Sequence, residues 1–180
     1  AVVNHLPGPK GDAHILLATL KAIQGASESV DIENAYVIST PDLRQSLLDA
    51  LDRGVRVRVL TNSAESVDEP IVSAPILGSL PDLVAAGAEV YLKQGDTLHS
   101  KFMTVDGIFT SVGSYNLHPR SHRFEGEMTV NTLDTQVAAQ LTASFEKDIQ
   151  AAKRIHTPEE IVVPQNLLTM LAARYFFDHL

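Results

Sequence analysis

The sequence predicts a layered α/β sandwich, a mixed central sheet with helices on both faces, in one domain spanning residues 1–180. Three observations carry this. Over the first 92 residues, segments of strand and helix period alternate in the order β-α-β-α-β behind a leading helix, the order that builds layered sheets. Asp106-Gly107, set between two apolar-rich segments, is a hairpin signal and adds antiparallel strands to that sheet. The chain has 180 residues, 44% apolar and 20% charged, a folded composition long enough for a hydrophobic core.

The elements follow in order. PGPKGD at 7–12 is a breaker-rich entry. A helix follows from Ala13 to Gln24, with Ile15, Leu16, Leu20 and Ile23 on one face. VDIEN at 30–34 reads as a strand running on into AYVI. Thr40 is an N-cap with Pro41 in the first helical position; Leu43, Leu47, Leu48 and Leu51 form the buried stripe and Gly54 ends the helix. VRVRVL at 55–60 alternates strictly, placing Val55, Val57 and Val59 on one face and Arg56 and Arg58 on the other. TNSAESVDEP is a polar loop at the end of that strand. Residues 71–86 are predicted helical, with Pro75 and Pro81 blurring the ends. AEVYL at 88–92 is a short strand, HSKFMTVD and IFTSVGS form the hairpin, and FEGEMTV at 124–130 adds a strand. Asp134 caps a long helix to Lys153, with Val137, Leu141, Phe145, Ile149 and Ala152 at helical spacing. TPEEIVVPQ connects to NLLTMLAARYFFDHL, an apolar tail helix expected to pack on the sheet, since it lacks the basic belt of a lipid-surface helix.

The bulk properties restrict function. A formal charge of -8 argues against a general nucleic-acid surface, although a local positive pocket needs only a few cations. The chain has no cysteine, which removes disulfide and thiolate chemistry. It contains no run of 18 apolar residues and hence no transmembrane segment. PGPKGD lacks the spacing and the Ser/Thr of a nucleotide loop. The opening AVVNHLPGPKGDAH reads like the middle of something longer, which suggests a fragment or a processed product.

Chemistry concentrates at HSKFMTVDGIFTSVGSYN, residues 99–116. Period-2 spacing points His99 and Lys101 one way and Ser100 and Phe102 the other. The hairpin returns Ser114 and Asn116 toward the start of the first strand. An imidazole, an ammonium, a hydroxyl and an amide then converge, a donor set suited to a phosphoryl group. The chemistry of that set requires no metal, because Lys and protonated His neutralise phosphoryl charge. A rival zinc cluster of His118, His122 and His99 with Asp106 or Glu125 is disfavoured, because Pro119 allows only a short helix to align the histidine pair.

The stretch resembles the HxKxxxxD signature of the phospholipase D superfamily: His99, Lys101 and Asp106, then Gly113, Ser114 and Asn116, with no spacing error. NLHPRSHRFEGE resembles the Asn-Leu-Asp-Pro-Arg-Ser segment of cardiolipin-synthase-like members, whose acidic residue falls on Glu127. DRGVRVRVLTNSAESVDEP, with Asn62-Ser63 and Asp68, and LVAAGAEVYL are similar to the same bacterial group. The likeness spans roughly residues 13–155 and fits the second half of a two-motif protein. Two positions depart from the pattern: His118 stands where the family usually has Asp, and Glu125 where it often has Asn.

The resemblance implies phosphodiester hydrolysis or phosphatidyl transfer on phospholipids, as in cardiolipin synthesis, through a phosphohistidine and without a cofactor. One His attacks phosphorus and another protonates the leaving oxygen on the opposite side, so two motif copies surround one site. This chain carries one copy; its partner is a missing first half or a homodimer mate. In a second half His99 is the general acid, and in a homodimer it plays either part. Lys101, Ser114 and Asn116 hold the phosphate, with His118 and Arg120 beside the substrate. Glu127 orients the His99 ring. Asp106 completes the catalytic set or stabilises the turn, and Arg120 and Arg123 pair with carboxylates or line the pocket. The resemblance also implies a bacterial, membrane-associated protein with peripheral membrane contact. Two other readings stay open: a homodimeric nucleic-acid phosphodiesterase, and a non-catalytic half that completes a partner.

Overall fold

The computed structural model describes residues 1–7 and 13–164; the predicted tail helix and most of PGPKGD lie outside them. Eight strands form one mixed sheet in the order β1-β7-β6-β5-β2-β3-β4-β8. These are β1 (Val2–His5), β2 (Ser29–Asn34), β3 (Arg56–Asn62), β4 (Glu89–Lys93), β5 (Lys101–Val105), β6 (Phe109–Gly113), β7 (Glu127–Leu133) and β8 (Ala152–Ile155). The helices are α1 (His14–Gly25), α2 (Pro41–Asp52), α3 (Ser73–Gly78), α4 (Pro81–Ala85), α5 (Pro119–Arg123) and α6 (Thr135–Ile149). The pairs β2–β3 and β3–β4 are parallel, and the remaining neighbours run antiparallel.

Helices α1 and α2 cover one face. Ile15, Ile23, Leu43 and Leu47 pack there on Val30, Ile32, Val57, Val59 and Met103. Helix α6 covers part of the other face, with Phe145 against Leu60, Tyr91, Leu98 and Phe102. Local signals fix the ends. The Thr40 hydroxyl accepts from Leu43 N–H at 3.4 Å with Pro41 next in line, and Asp134 accepts from Gln136 and Val137 at 2.8 and 3.1 Å.

The alternation in VRVRVL holds, but its polar face is not all solvated. Arg56 is exposed, whereas Arg58 is 4% exposed beneath α6. Arg58 forks onto Asp31 at 2.7 and 2.9 Å, pairs with Glu146, and lies 4.8 Å from the Phe145 ring centroid. Those carboxylate contacts raise its pKa against the opposing effect of burial.

Three predicted boundaries need correction, the first being that β2 ends at Asn34 rather than running on into AYVI. The helix over 71–86 is a one-turn 3-10 helix at Pro70–Val72 followed by α3 and α4. Pro81 has no N–H to continue a helix but suits the first position of a new one. The helix to Lys153 ends at Ile149, and Ala152 opens β8, whose pairing with β4 sends Ile155 into the core. Ala152 matches the helical spacing only because Ala suits either element; the tertiary pairing decides. The opening residues form β1 on the outer side of β7, where Val2 faces Val130 and His5 faces Glu127.

Candidate functional site

Two buried asparagines end adjacent parallel strands and hold the loops that carry the site, at the strand ends where open α/β sheets bind ligands. Asn34 closes β2: its Nδ2 donates to Tyr115 O at 3.0 Å, and its Oδ1 accepts from Leu117 N–H at 3.2 Å. Asn62 closes β3: its Nδ2 donates to Ala35 O and Leu98 O at 3.0 and 2.9 Å, and its Oδ1 accepts from Leu98 N–H at 2.9 Å. The Asn34 grip fixes the 114–118 loop and the Asn62 grip fixes the backbone just before His99.

His99 precedes β5, and Lys101 is that strand's first residue. The Lys101 ammonium turns back to donate to His99 O at 2.7 Å. Burial lowers its pKa, opposed by the carboxylates of Glu127 and Asp68. Ser100 faces the opposite way, as the period-2 spacing predicts, and donates to Glu33 on β2. Glu33 is 1% exposed; burial raises its pKa to about 7 against the Ser100 hydrogen bond, and its Oε2 has no hydrogen-bond partner among the described residues.

A cleft of about 230 Å³ opens beside His99. Asn116, His118, Arg120 and Glu125 of the predicted set line it, together with Tyr36 and Asp68. His118 caps α5: its Nδ1 accepts from Ser121 N–H at 3.0 Å, and its ring stacks on Tyr36 with centroids 5.8 Å apart. Burial lowers the His118 pKa to about 4, so the ring is neutral at pH 7 with its proton on Nε2. Arg120 pairs with Glu125 at 2.9 Å.

Three predicted site residues bond elsewhere. Glu127, the expected orienter of His99, has hydroxyl partners among the described residues. Its carboxylate accepts from Ser114 and, at 2.7 Å, from Ser121, whose hydroxyl also lies 2.7 Å from Glu125. The carboxylate that His99 acts upon is Asp68, which accepts from the Tyr36 hydroxyl; that bond lowers its pKa, with burial opposing and His99 assisting. Ser114 is committed to Glu127 and to Met128, whose N–H it accepts at 3.1 Å, and it does not line the cleft. Asp106 sits at the opposite end of β5 from His99. There its carboxylate accepts from the N–H groups of Ser27, Glu28 and Ser29 at 2.8–2.9 Å. With φ of 51° it holds the left-handed turn conformation. It is a brace between β5 and β2, as the turn reading has it.

The sequence pattern did not single out Tyr36, Asn34, Ser121 or Glu33. A signal existed: Glu33-Asn34 at the end of a strand buried on both faces. The zinc rival finds no support. His118 stacks on Tyr36 while His122 stacks on His5, and no group of three or more possible metal ligands occurs among the described residues.

Comparison with known proteins agrees with this geometry. Residues 19–149 match the family described as "Cardiolipin synthase, PLD-like domain". The chain is 32% identical over 136 residues to a cardiolipin synthase of Oceanobacillus iheyensis, covering 76% of this chain and 28% of that protein. It is 33% identical over 140 residues to cardiolipin synthase A of Pseudomonas syringae, covering 78% and 29%. It therefore spans under a third of these bacterial relatives. Among solved structures, phosphatidylserine synthase of Haemophilus influenzae superposes with a TM-score of 0.80 at 17% identity, over 97% of this chain and 44% of that one. The phospholipase D family member Nuc of Salmonella typhimurium superposes at 0.72 and 19% identity, over 87% and 99%. The sheet, the placement of His99 and Lys101 at the end of it that carries the cleft, and these matches converge: the chain belongs to the cardiolipin-synthase, phospholipase D-like domain family.

Proposed function

We propose that this chain supplies one half of a phospholipid-cleaving or phosphatidyl-transferring site that works through a phosphohistidine. The observation that carries the reading is the meeting of His99 and Asn116 in one cleft, with the Lys101 ammonium tethered to the His99 carbonyl. An imidazole of a second domain forms the P–N bond. His99 gives its proton to the leaving alcohol oxygen as the P–O bond breaks. In the second step His99 takes the proton of water or an acceptor alcohol as that oxygen attacks and the P–N bond breaks. Lys101 and Asn116 bind the phosphoryl oxygens.

Need for a second domain is supported by the short coverage of the relatives and by the sheet itself. Beyond α6, Val2, Val112, Met128 and Val130 leave an exposed apolar face on β1, β6 and β7. The same face suits the non-catalytic half, whose work is to complete a partner. A homodimer has its own support, because Nuc of Salmonella typhimurium is covered over 99% of its length and so is a single domain of this size. No helix among the described residues is long and apolar enough to cross a membrane.

The test is hydrolysis of an activated phosphodiester by this chain in excess EDTA, beside His99→Asn at equal concentration. Turnover abolished by the substitution supports a self-paired, metal-free site. If neither protein turns over, the homodimer is excluded, and the same pair is assayed with the first-half domain supplied. Activity unchanged by His99→Asn in that mixture would reject the reading.

A further inference from the structure

Hydrogen-bond acceptors dominate the cleft beside His99. Asp68, Glu69 and Glu125 bring three carboxylates to its wall, against one guanidinium, Arg120. Arg120 already pairs with Glu125 at 2.9 Å, so Asp68 and Glu69 face the space without an ion-pair partner among the described residues. The buried, neutral His118 adds no charge. Asn116 Oδ1 is a buried acceptor in the same wall with no hydrogen-bond partner among the described residues. The remaining wall is apolar, built from Ile38, Ile71, Val72 and Pro75.

An occupant must therefore donate hydrogen bonds, carry positive charge and present carbon to an apolar wall. Resting on the phosphodiester reading above, we propose that this cleft receives the alcohol arm of the diester and selects an arm that ends in an ammonium group. The phosphate lies toward Lys101, the methylenes lie on the Ile38 and Val72 side, and the ammonium donates to Asn116 Oδ1 within reach of Asp68 and Glu69. A glyceryl arm satisfies the amide but leaves the carboxylates uncompensated. An arm with a second phosphate meets like charge, the repulsive element that specificity requires.

The experiment is a calorimetric titration of the full chain with sn-glycero-3-phosphoethanolamine and with sn-glycero-3-phosphoglycerol, which share the phosphodiester and differ in the arm. The expected result is binding of the ethanolamine diester tighter by roughly tenfold, the strength of one well-placed charge contact. Asp68→Asn and Glu69→Gln each cut that preference at least threefold, and the double substitution removes it; thermal melts confirm that the variants fold. Equal binding, tighter glycerol binding, no binding of either diester, or a preference that survives the double substitution would each overturn the inference. Lys101→Met separates the two levels. It weakens both diesters alike if the phosphate reading holds, and binding unaffected by it counts against that reading whatever the preference.

Discussion

Asn62 holds both main-chain polar groups of Leu98, donating to its carbonyl at 2.9 Å and accepting from its N–H at 2.9 Å. Asn62 is fully buried and Leu98 nearly so, so water does not readily replace this side chain at those groups. Asn62→Ala leaves them without partners. The expected loss is about 2–4 kcal/mol, read as a lower urea midpoint with unchanged slope. Hydrogen exchange at Leu98 N–H accelerates by more than the global loss of stability explains, because the loop before His99 is released locally.

Two buried groups give opposite pH slopes. The folded chain keeps Glu33 protonated up to about pH 7, whereas the unfolded carboxyl titrates near its ordinary value of 4.5. Between those values the unfolded state binds fewer protons, so this group lowers stability as pH rises. His118 titrates near 4 when folded and 6.5 when unfolded, so between those values it raises stability as pH rises. Each effect amounts to at most about 3 kcal/mol, and they largely cancel in the wild type. Glu33→Gln, which keeps an acceptor for Ser100, unmasks a stability that climbs from pH 4 to 6.5. His118→Asn unmasks a fall from pH 4.5 to 7. Chemical denaturation across this range reads both, and flat profiles for both variants would reject the assignment.

Asp106 is a brace, so its removal acts on folding. Asp106→Ala leaves three N–H groups at 27–29 without their carboxylate and costs about 2–4 kcal/mol. Burial opposes ionisation of Asp106, but the N–H bonds from Ser29, Ser27 and Glu28 prevail and hold its pKa down. Its contribution is therefore complete above the unfolded value of 3.8 and disappears as pH falls through the lower folded value. The variant's deficit in melting temperature shrinks in strong acid. A deficit equal at pH 2 and pH 7 would contradict this.

His118 and Glu125 form one unit across the cleft, joined through Ser121 and Arg120. Where the resembling pattern has Asp and Asn, this chain has an imidazole cap and a carboxylate, so the negative charge stands at position 125 instead of 118. His118→Asp alone keeps an acceptor for Ser121 N–H but adds a carboxylate beside Asp68 and Glu125. Glu125→Asn alone strips Arg120 of its partner. The double substitution is expected to be about 1 kcal/mol better than the sum of the singles. Additive singles would show the two departures to be unrelated.

The chemistry at 99–127 was legible because strand periodicity and an Asp-Gly turn are local. Ser100 does face away from Lys101's side, and the hairpin does return Asn116 toward His99. The sheet's outer strands were not legible. Val2–His5 and Ala152–Ile155 are short segments whose strand character comes from the edges of β7 and β4, far away in sequence. Partner choice among carboxylates was hidden for the same reason. Glu127 is the expected orienter by position, yet hydroxyls of Ser114 and Ser121 occupy it, and the carboxylate on which His99 acts electrostatically is Asp68, in a loop 31 residues upstream.

Gly113 ends β6 where a Cβ would lie 2.0 Å from the Met128 carbonyl oxygen and 2.8 Å from Thr129 Cα. Any side chain there would push β7 outward, and with it Glu127, the first residue of that strand. The glycine of the Gly-Ser-x-Asn turn thus acts as a spacer, setting a clearance between two backbones that the reacting groups inherit. A variant library scored only on groups that bind or transfer protons would pass over position 113, although even a methyl group there would shift the strand on which the neighbouring acid is mounted.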